Sequence, residues 1–205
     1  LTFGGYYFAK VSPPKYIAHI SFNAVDSRAT SMGGIMSMMG FSFAGGSSND
    51  VLTGIFTSRN IFLNSMLDDV VVDGKREKLG NLYIHAHKYD EGFDDDPIWK
   101  GFKFKANSIK EISKQEMDLL SIMYDDFNDG LMVAEYDLAT GMIKAEVESP
   151  DYEVSKQTGM ALLRNTLEFY QTKQVENANV SLKNTTQRMD SISAEIRSRQ
   201  RLIAE

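Results

Sequence analysis

The chain has 205 residues, 42% of them hydrophobic, which is enough for one sizeable domain. A net charge of -6 leaves no basic face to compete with the carboxylates, so nucleic acid is excluded as a partner class. There is no cysteine, which excludes disulfides, thiolate metal sites and cysteine nucleophiles and leaves cytosol and periplasm equally open.

No run approaches the roughly 20 apolar residues that span a bilayer, and the opening Leu1-Thr2-Phe3-Gly4-Gly5 lacks a signal-peptide layout. Phe3, Tyr6, Tyr7 and Phe8 followed by Lys10 read either as the interfacial end of a membrane helix lying upstream or as an aromatic edge strand. After the break at Pro13-Pro14, the alternation in Tyr16-Ile17-Ala18-His19-Ile20-Ser21-Phe22 predicts the first strand of a base domain. The stretch Ser31-Met32-Gly33-Gly34-Ile35-Met36-Ser37-Met38-Met39-Gly40-Phe41 mixes small residues with flexible methionines. It reads as a short adaptable helix or as a methionine-filled core gap under the loop Ala44-Gly45-Gly46-Ser47-Ser48. Its glycines lack the spacing of a phosphate-binding loop.

Asn49 or Asp50 is predicted to cap a helix through Val51, Leu52, Ile55 and Phe56, and the pattern resumes past Ser58-Arg59-Asn60 with Ile61, Phe62, Leu63, Met66 and Leu67. This predicts a helix pair, or one bent helix, over a sheet. Arg59 sits between two apolar helix faces, so its guanidinium is expected to bond helix-end carbonyls or an acidic neighbour. Asp73-Gly74 signals a turn. Residues 79–87 fit helix or strand, and the acidic loop 90–97 separates them from Ile98-Trp99. Ser108-Ile109-Lys110-Glu111 fits a capping box that would open a helix through Ile112, Met117, Leu119, Leu120, Ile122 and Met123. That helix is predicted to end near Asn128-Asp129-Gly130. A hairpin follows, with 131–138 pairing with 142–148, one face buried and the other wet.

From Asp151 onward there is no proline and a single glycine, Gly159, so nothing stops a helix of roughly 80 Å at 1.5 Å per residue. Its start carries Val154, Met160, Leu163, Leu167 and Tyr170, enough apolar side chains to dock on a base. Beyond Gln174 the helix turns polar and keeps only a thin stripe of Ala178, Leu182, Met189, Ile192, Ile196 and Ile203. Steps of three and four make this a coiled-coil-like seam. A long polar helix is marginal in water without a partner, so either neighbouring subunits or a returning helix beyond Glu205 is expected to cover it. The fold class is therefore α+β: a small mixed sheet-and-helix base over 1–150 with a very long C-terminal extended helix over 151–205, its start docked on the base.

The search for chemistry gives little. If 79–87 were a strand, His85 and His87 would share a face near Asp90, but no third metal ligand has a convincing spacing. Asp125-Asp126-Phe127-Asn128-Asp129-Gly130 departs from a calcium loop, with Phe127 at a ligand position and Tyr136 where a bidentate glutamate is required. No serine lies in a Gly-x-Ser-x-Gly turn. No catalytic, cofactor-binding or metal-binding residue is assigned.

The order of segments resembles that of the periplasmic part of Wzz-type chain length determinants, also called polysaccharide co-polymerases, and particularly the lipopolysaccharide biosynthesis proteins of this type in Bacteroidetes. The matching pieces are the Pro-Lys-Tyr-x-Ala-x-x-x-Phe strand at 14–22, the Gly/Met-rich stretch ending Met39-Gly40-Phe41-Ser42, and Thr57-Ser58-Arg59-Asn60-Ile61-Phe62. The last piece is the hairpin, leading through Glu148-Ser149-Pro150-Asp151 into a helix with Ala161-Leu162-Leu163 and Phe169-Tyr170. Ser58 and Arg59 carry the family's signature. The resemblance implies a non-enzymatic protein of the inner membrane without a cofactor, anchored by flanking helices, with this region on the periplasmic side. It implies assembly into a homo-oligomeric ring that sets polysaccharide length alongside a polymerase and a lipid-linked glycan. Two other classes raise long helices: a periplasmic adaptor of an efflux or secretion system, for which paired lipoyl-like halves are lacking, and a coiled-coil scaffold or enzyme regulator.

Overall fold

The structure, a computed structural model, describes residues 14–22 and 48–203. The Gly/Met-rich stretch and the aromatic start lie outside the described residues. The fold is α+β. Strand β1 (Tyr16–Phe22) precedes helices α1 (Ser48–Phe56) and α2 (Arg59–Leu67), then β2 (Asp69–Val72), β3 (Lys75–Lys78) and α3 (Leu79–Ala86). Helix α4 (Lys114–Asp126), strands β4 (Met132–Asp137) and β5 (Met142–Ser149), and helix α5 (Tyr152–Ile203) complete it.

β5 is the centre of a three-stranded antiparallel sheet ordered β1-β5-β4. Its alternation decides the layers: Ile143, Ala145 and Val147 are buried, while Lys144 and Glu146 face solvent. β1 lies against it from Tyr16 opposite Ser149 to Phe22 opposite Ile143. At the β4–β5 turn, Asp137 accepts from the Lys144 ammonium at 2.6 Å and from the Ala139 and Thr140 amides. These donors, Lys144 foremost, hold its carboxyl far below the usual range. Asp73-Gly74 closes a second hairpin, β2–β3, that the sequence reading registered only as a turn; both residues have positive φ, 51° and 75°.

Helix placement differs from expectation at two points and settles an open alternative at a third. α1 already includes Ser48, so Asn49 and Asp50 lie inside its first turn and do not cap it. Of the two readings of 79–87 the helix holds: Leu79–Ala86 form α3 with His87 at its C-cap, because Leu79, Gly80, Tyr83 and Ile84 bury one helical face. The capping box is not Ser108…Glu111, which forms a short 3-10 turn over Ile109–Glu111 without a side-chain cap. It is Ser113…Glu116 at the start of α4. Glu116 Oε2 accepts from the Ser113 amide at 2.8 Å, and Oε1 accepts from the Lys105 and Ala106 amides. Burial acts to raise the Glu116 pKa, but these amides together outweigh it and leave the carboxyl below its ordinary value.

The core between the helices and the sheet is aromatic. Phe62 of α2 packs on Phe127 at 4.7 Å and meets Tyr83 edge-on at 6.0 Å. Around them Phe56, Met66, Leu79, Leu120, Met123 and Ile143 are fully buried. Gly80 lets the Phe104 ring reach the backbone of α3: a Cβ there would lie 2.6 Å from the ring and 2.9 Å from the Met66 carbonyl oxygen.

The chain divides into two units, with the boundary between Thr166 and Leu167 inside α5. In the first unit, Asp151 caps α5 by accepting from the Val154 amide at 3.0 Å. The docked face matches the predicted one only in part, at Val154. Val154, Ser155, Thr158, Ala161, Leu162 and Thr166 are buried, whereas Met160 is exposed and Leu163 half-buried. The small side chains explain this, because they admit the helix backbone close to β1. A Cβ on Gly159 would stand 2.8 Å from Ile20 Cδ1. Ser155 donates to the Val147 carbonyl at 2.8 Å, and Arg164 and Asn165 both donate to Asp68. In the second unit Leu167 is exposed and Tyr170 half-buried.

Candidate functional site

Ser58 has extended backbone between α1 and α2, and its hydroxyl accepts from the Ile61 amide at 3.4 Å as the cap of α2. Arg59 is exposed, and among the described residues its guanidinium meets neither the expected carbonyl nor a carboxylate. It donates to Ser121 Oγ of α4 at 2.5 Å and lies 3.8 Å from Met117 Sδ. Ser121 in turn donates to the Met117 carbonyl. The Ser58-Arg59 pair therefore couples the α1–α2 corner to α4 through a hydroxyl relay, because α4 brings a serine where the sequence reading expected an acid.

The seam residues of α5 are all exposed where their side chains are described. Leu182 is 71% exposed, Met189 65%, Ile192 57% and Ile196 51%. Ile203 is the last described residue of the helix, and its side chain lies outside the description. With Val175, Ala178 and Thr185, these positions repeat every seven residues in alternating steps of three and four. Such a 3.5-residue period keeps one stripe facing a partner only if two helices supercoil left-handedly. The neighbouring hydroxyls are internally satisfied: Thr185, Thr186 and Ser191 each donate to the carbonyl four residues back at 2.9 Å. Apolar side chains are what this surface leaves unsatisfied.

A polar depression of about 470 Å³ is bordered by Lys15, His87, Tyr89, Asp126 and Glu148. Tyr89 donates to Asp126 at 2.6 Å, and Lys15 pairs with Glu148 at 2.6 Å. His87 stacks on buried Tyr83 at 4.1 Å between ring centres, and burial pushes its pKa down to about 4 against the opposing pull of Asp126 and Glu148. Its Nε2 and the Tyr83 hydroxyl are buried without a partner among the described residues. Burial, followed by the bond to Asp126, pushes the Tyr89 phenol up. The helix-or-strand ambiguity of 79–87 hid this arrangement, because Tyr83 and His87 meet only at the four-residue step of a helix. For the same reason His85 and His87 do not share a face. His85 bonds Asp90 at 3.0 Å, and among the described residues no three His, Asp or Glu side chains are grouped to hold a metal ion.

Comparison with known proteins finds no matching family model, no matching curated protein and no matching solved structure. Among the described residues, no helix is long and apolar enough to cross a membrane.

Proposed function

We propose that this chain is the periplasmic region of a non-enzymatic, inner-membrane polysaccharide co-polymerase, in which a very long extended C-terminal helix is the assembly element. The observation that carries the reading is the seven-residue apolar stripe on α5, exposed on an otherwise polar helix. Burying such side chains is worth roughly 1.5 to 3 kcal/mol each, so several per subunit, repeated around a ring, are enough to hold copies together. The segment order shared with chain length determinants supplies the context. Flanking membrane helices would set subunits side by side, and the helices would form a wall against which a lipid-linked glycan and its polymerase are measured.

The test joins assembly to function. Ile192→Lys with Ile196→Lys is expected to shift sedimentation velocity toward monomer and raise amide exchange beyond Val175, with the base unchanged. In the host, the same double variant is expected to lose the regulated length distribution of its surface polysaccharide. Unchanged sedimentation with unchanged exchange assigns the stripe no assembly role. Lost assembly with normal polysaccharide lengths favours a coiled-coil scaffold or adaptor instead.

A further inference from the structure

A second surface, within the first unit, has the chemistry of a sugar-binding groove. It is a cavity of about 350 Å³ between the start of β1, the β2–β3 turn, α3 and the first turn of α5, within the size range of small-ligand pockets. Two tyrosine rings lie at its wall. Tyr16 and Tyr152 meet edge-on with centres 6.1 Å apart, and both remain exposed, Tyr152 at 58%. Lys156 Nζ stands over the Tyr152 ring, 5.7 Å from its centre, and the rest of that exposed ring and the Tyr16 ring offer flat apolar surface to a ligand.

The polar groups around these rings are mainly carboxylate acceptors, so the wall is net acidic. Asp151 receives the Val154 amide and sits at the positive end of α5. Glu153 is paired with Lys156 at 3.2 Å, and His85 with Asp90 at 3.0 Å. Their carboxylate oxygens keep spare lone pairs as acceptors, and the exposed Asp73 at the β2–β3 turn adds more. No lysine or arginine lines the cavity, and the nearby Lys156 is already paired with Glu153, so an anionic ligand would meet carboxylates without a free cationic anchor. Apolar ring faces together with hydroxyl donors, the chemistry of a pyranose, match aromatic rings bordered by carboxylate acceptors.

We infer that this groove binds a neutral saccharide unit, stacked on Tyr152 and Tyr16 and donating hydroxyls to Asp73, Asp151 and Glu153. The inference adds a ligand contact to the proposed function at a place separate from the helix stripe, and neither requires the other. The experiment uses the full chain, ¹⁵N-labelled, titrated in separate samples with maltotetraose, chitotetraose and a mannan tetrasaccharide to about 10 mM, the range of weak single-unit binding. Spermidine serves as the cationic probe and inorganic phosphate as the anionic one. At least one saccharide is expected to shift the amides of Tyr16, Asp73, His85 and Tyr152. Tyr152→Ala is expected to weaken that binding about tenfold or more, with Tyr152→Phe retaining it, because the ring face and not the hydroxyl makes the contact. Circular dichroism melting of each variant separates lost binding from lost folding, and Asp73→Asn on the exposed turn is a second variant expected to weaken binding without unfolding. Absence of shifts for all three saccharides overturns the inference, as does a response confined to spermidine or phosphate. The Ile192→Lys, Ile196→Lys variant is expected to bind as the parent does, so failure of the groove and failure of the assembly reading are seen separately.

Discussion

At the scale of single residues, His87 and two glycines show how position sets the effect of a side chain. His87 is held neutral down to about pH 4, whereas in the unfolded chain it takes a proton near its ordinary 6.5. Between those values the unfolded state binds more protons, so stability rises with pH across that window and is lost as pH falls through it. Thermal melting of the parent is expected to drop over that interval, and His87→Phe, which preserves a ring against Tyr83, is expected to flatten the slope. Gly80 and Gly159 both sit under close neighbours but predict different outcomes. At Gly80 a methyl group meets the rigid Met66 carbonyl as well as the Phe104 ring, and Gly80→Ala is expected to cost about 1–3 kcal/mol. At Gly159 the nearest atom is the free end of Ile20, and the helix gains about 1 kcal/mol from alanine, so denaturant unfolding of Gly159→Ala should fall within about 1 kcal/mol of the parent.

At the scale of elements, the capping boxes show what the sequence could and could not reveal. Ser108…Glu111 and Ser113…Glu116 both have the required spacing, five residues apart in frame. What selects the second is tertiary: the Glu116 carboxylate also receives the Lys105 and Ala106 amides, from a segment whose approach no local pattern encodes. Glu116→Ala is therefore expected to cost about 1–3 kcal/mol by leaving those amides and the cap unpaired, while Ser108→Ala should stay within about 0.5 kcal/mol. The parent should also lose this part of its stability in acid, as pH falls below the ordinary glutamate range and through the lowered folded value, whereas Glu116→Ala should not. The β4–β5 hairpin was legible because Ile143, Ala145 and Val147 alternate cleanly. The β2–β3 hairpin was not, because Lys75-Arg76-Glu77-Lys78 carries no apolar face. The docking face of α5 was legible at Val154 and not at its small residues: Ser155, Thr158 and Gly159 signal nothing by hydrophobicity, yet their small size is what brings the helix onto β1.

At the scale of the whole molecule, the repeat on α5 was legible because a seven-residue period needs no tertiary knowledge, whereas the period does not encode what covers it. The Ser58-Arg59 signature belongs to a different question. Arg59 is exposed and its contacts are one hydroxyl and one thioether, so Arg59→Ala is expected to change melting by less than about 1 kcal/mol and to leave sedimentation unchanged. A large shift in oligomer size would move the signature from the internal α2–α4 link to a subunit contact.

The pairing of β1 with β5 also orders events in time. β5 finds β4 across a short turn, but β1 must wait for roughly 120 intervening residues to be gathered before it can join the same sheet. Closing so long a loop is slow relative to zipping a hairpin, so β1 should be the last strand to acquire its ladder and the first to lose it in partial opening. In pulsed hydrogen exchange during refolding, the amides of β4 and β5 that bond each other are expected to be shielded before those of Ile17 to Phe22. Simultaneous shielding would mean that the chain gathers its two ends before its hairpin, and that the loop is pre-compacted in the denatured ensemble.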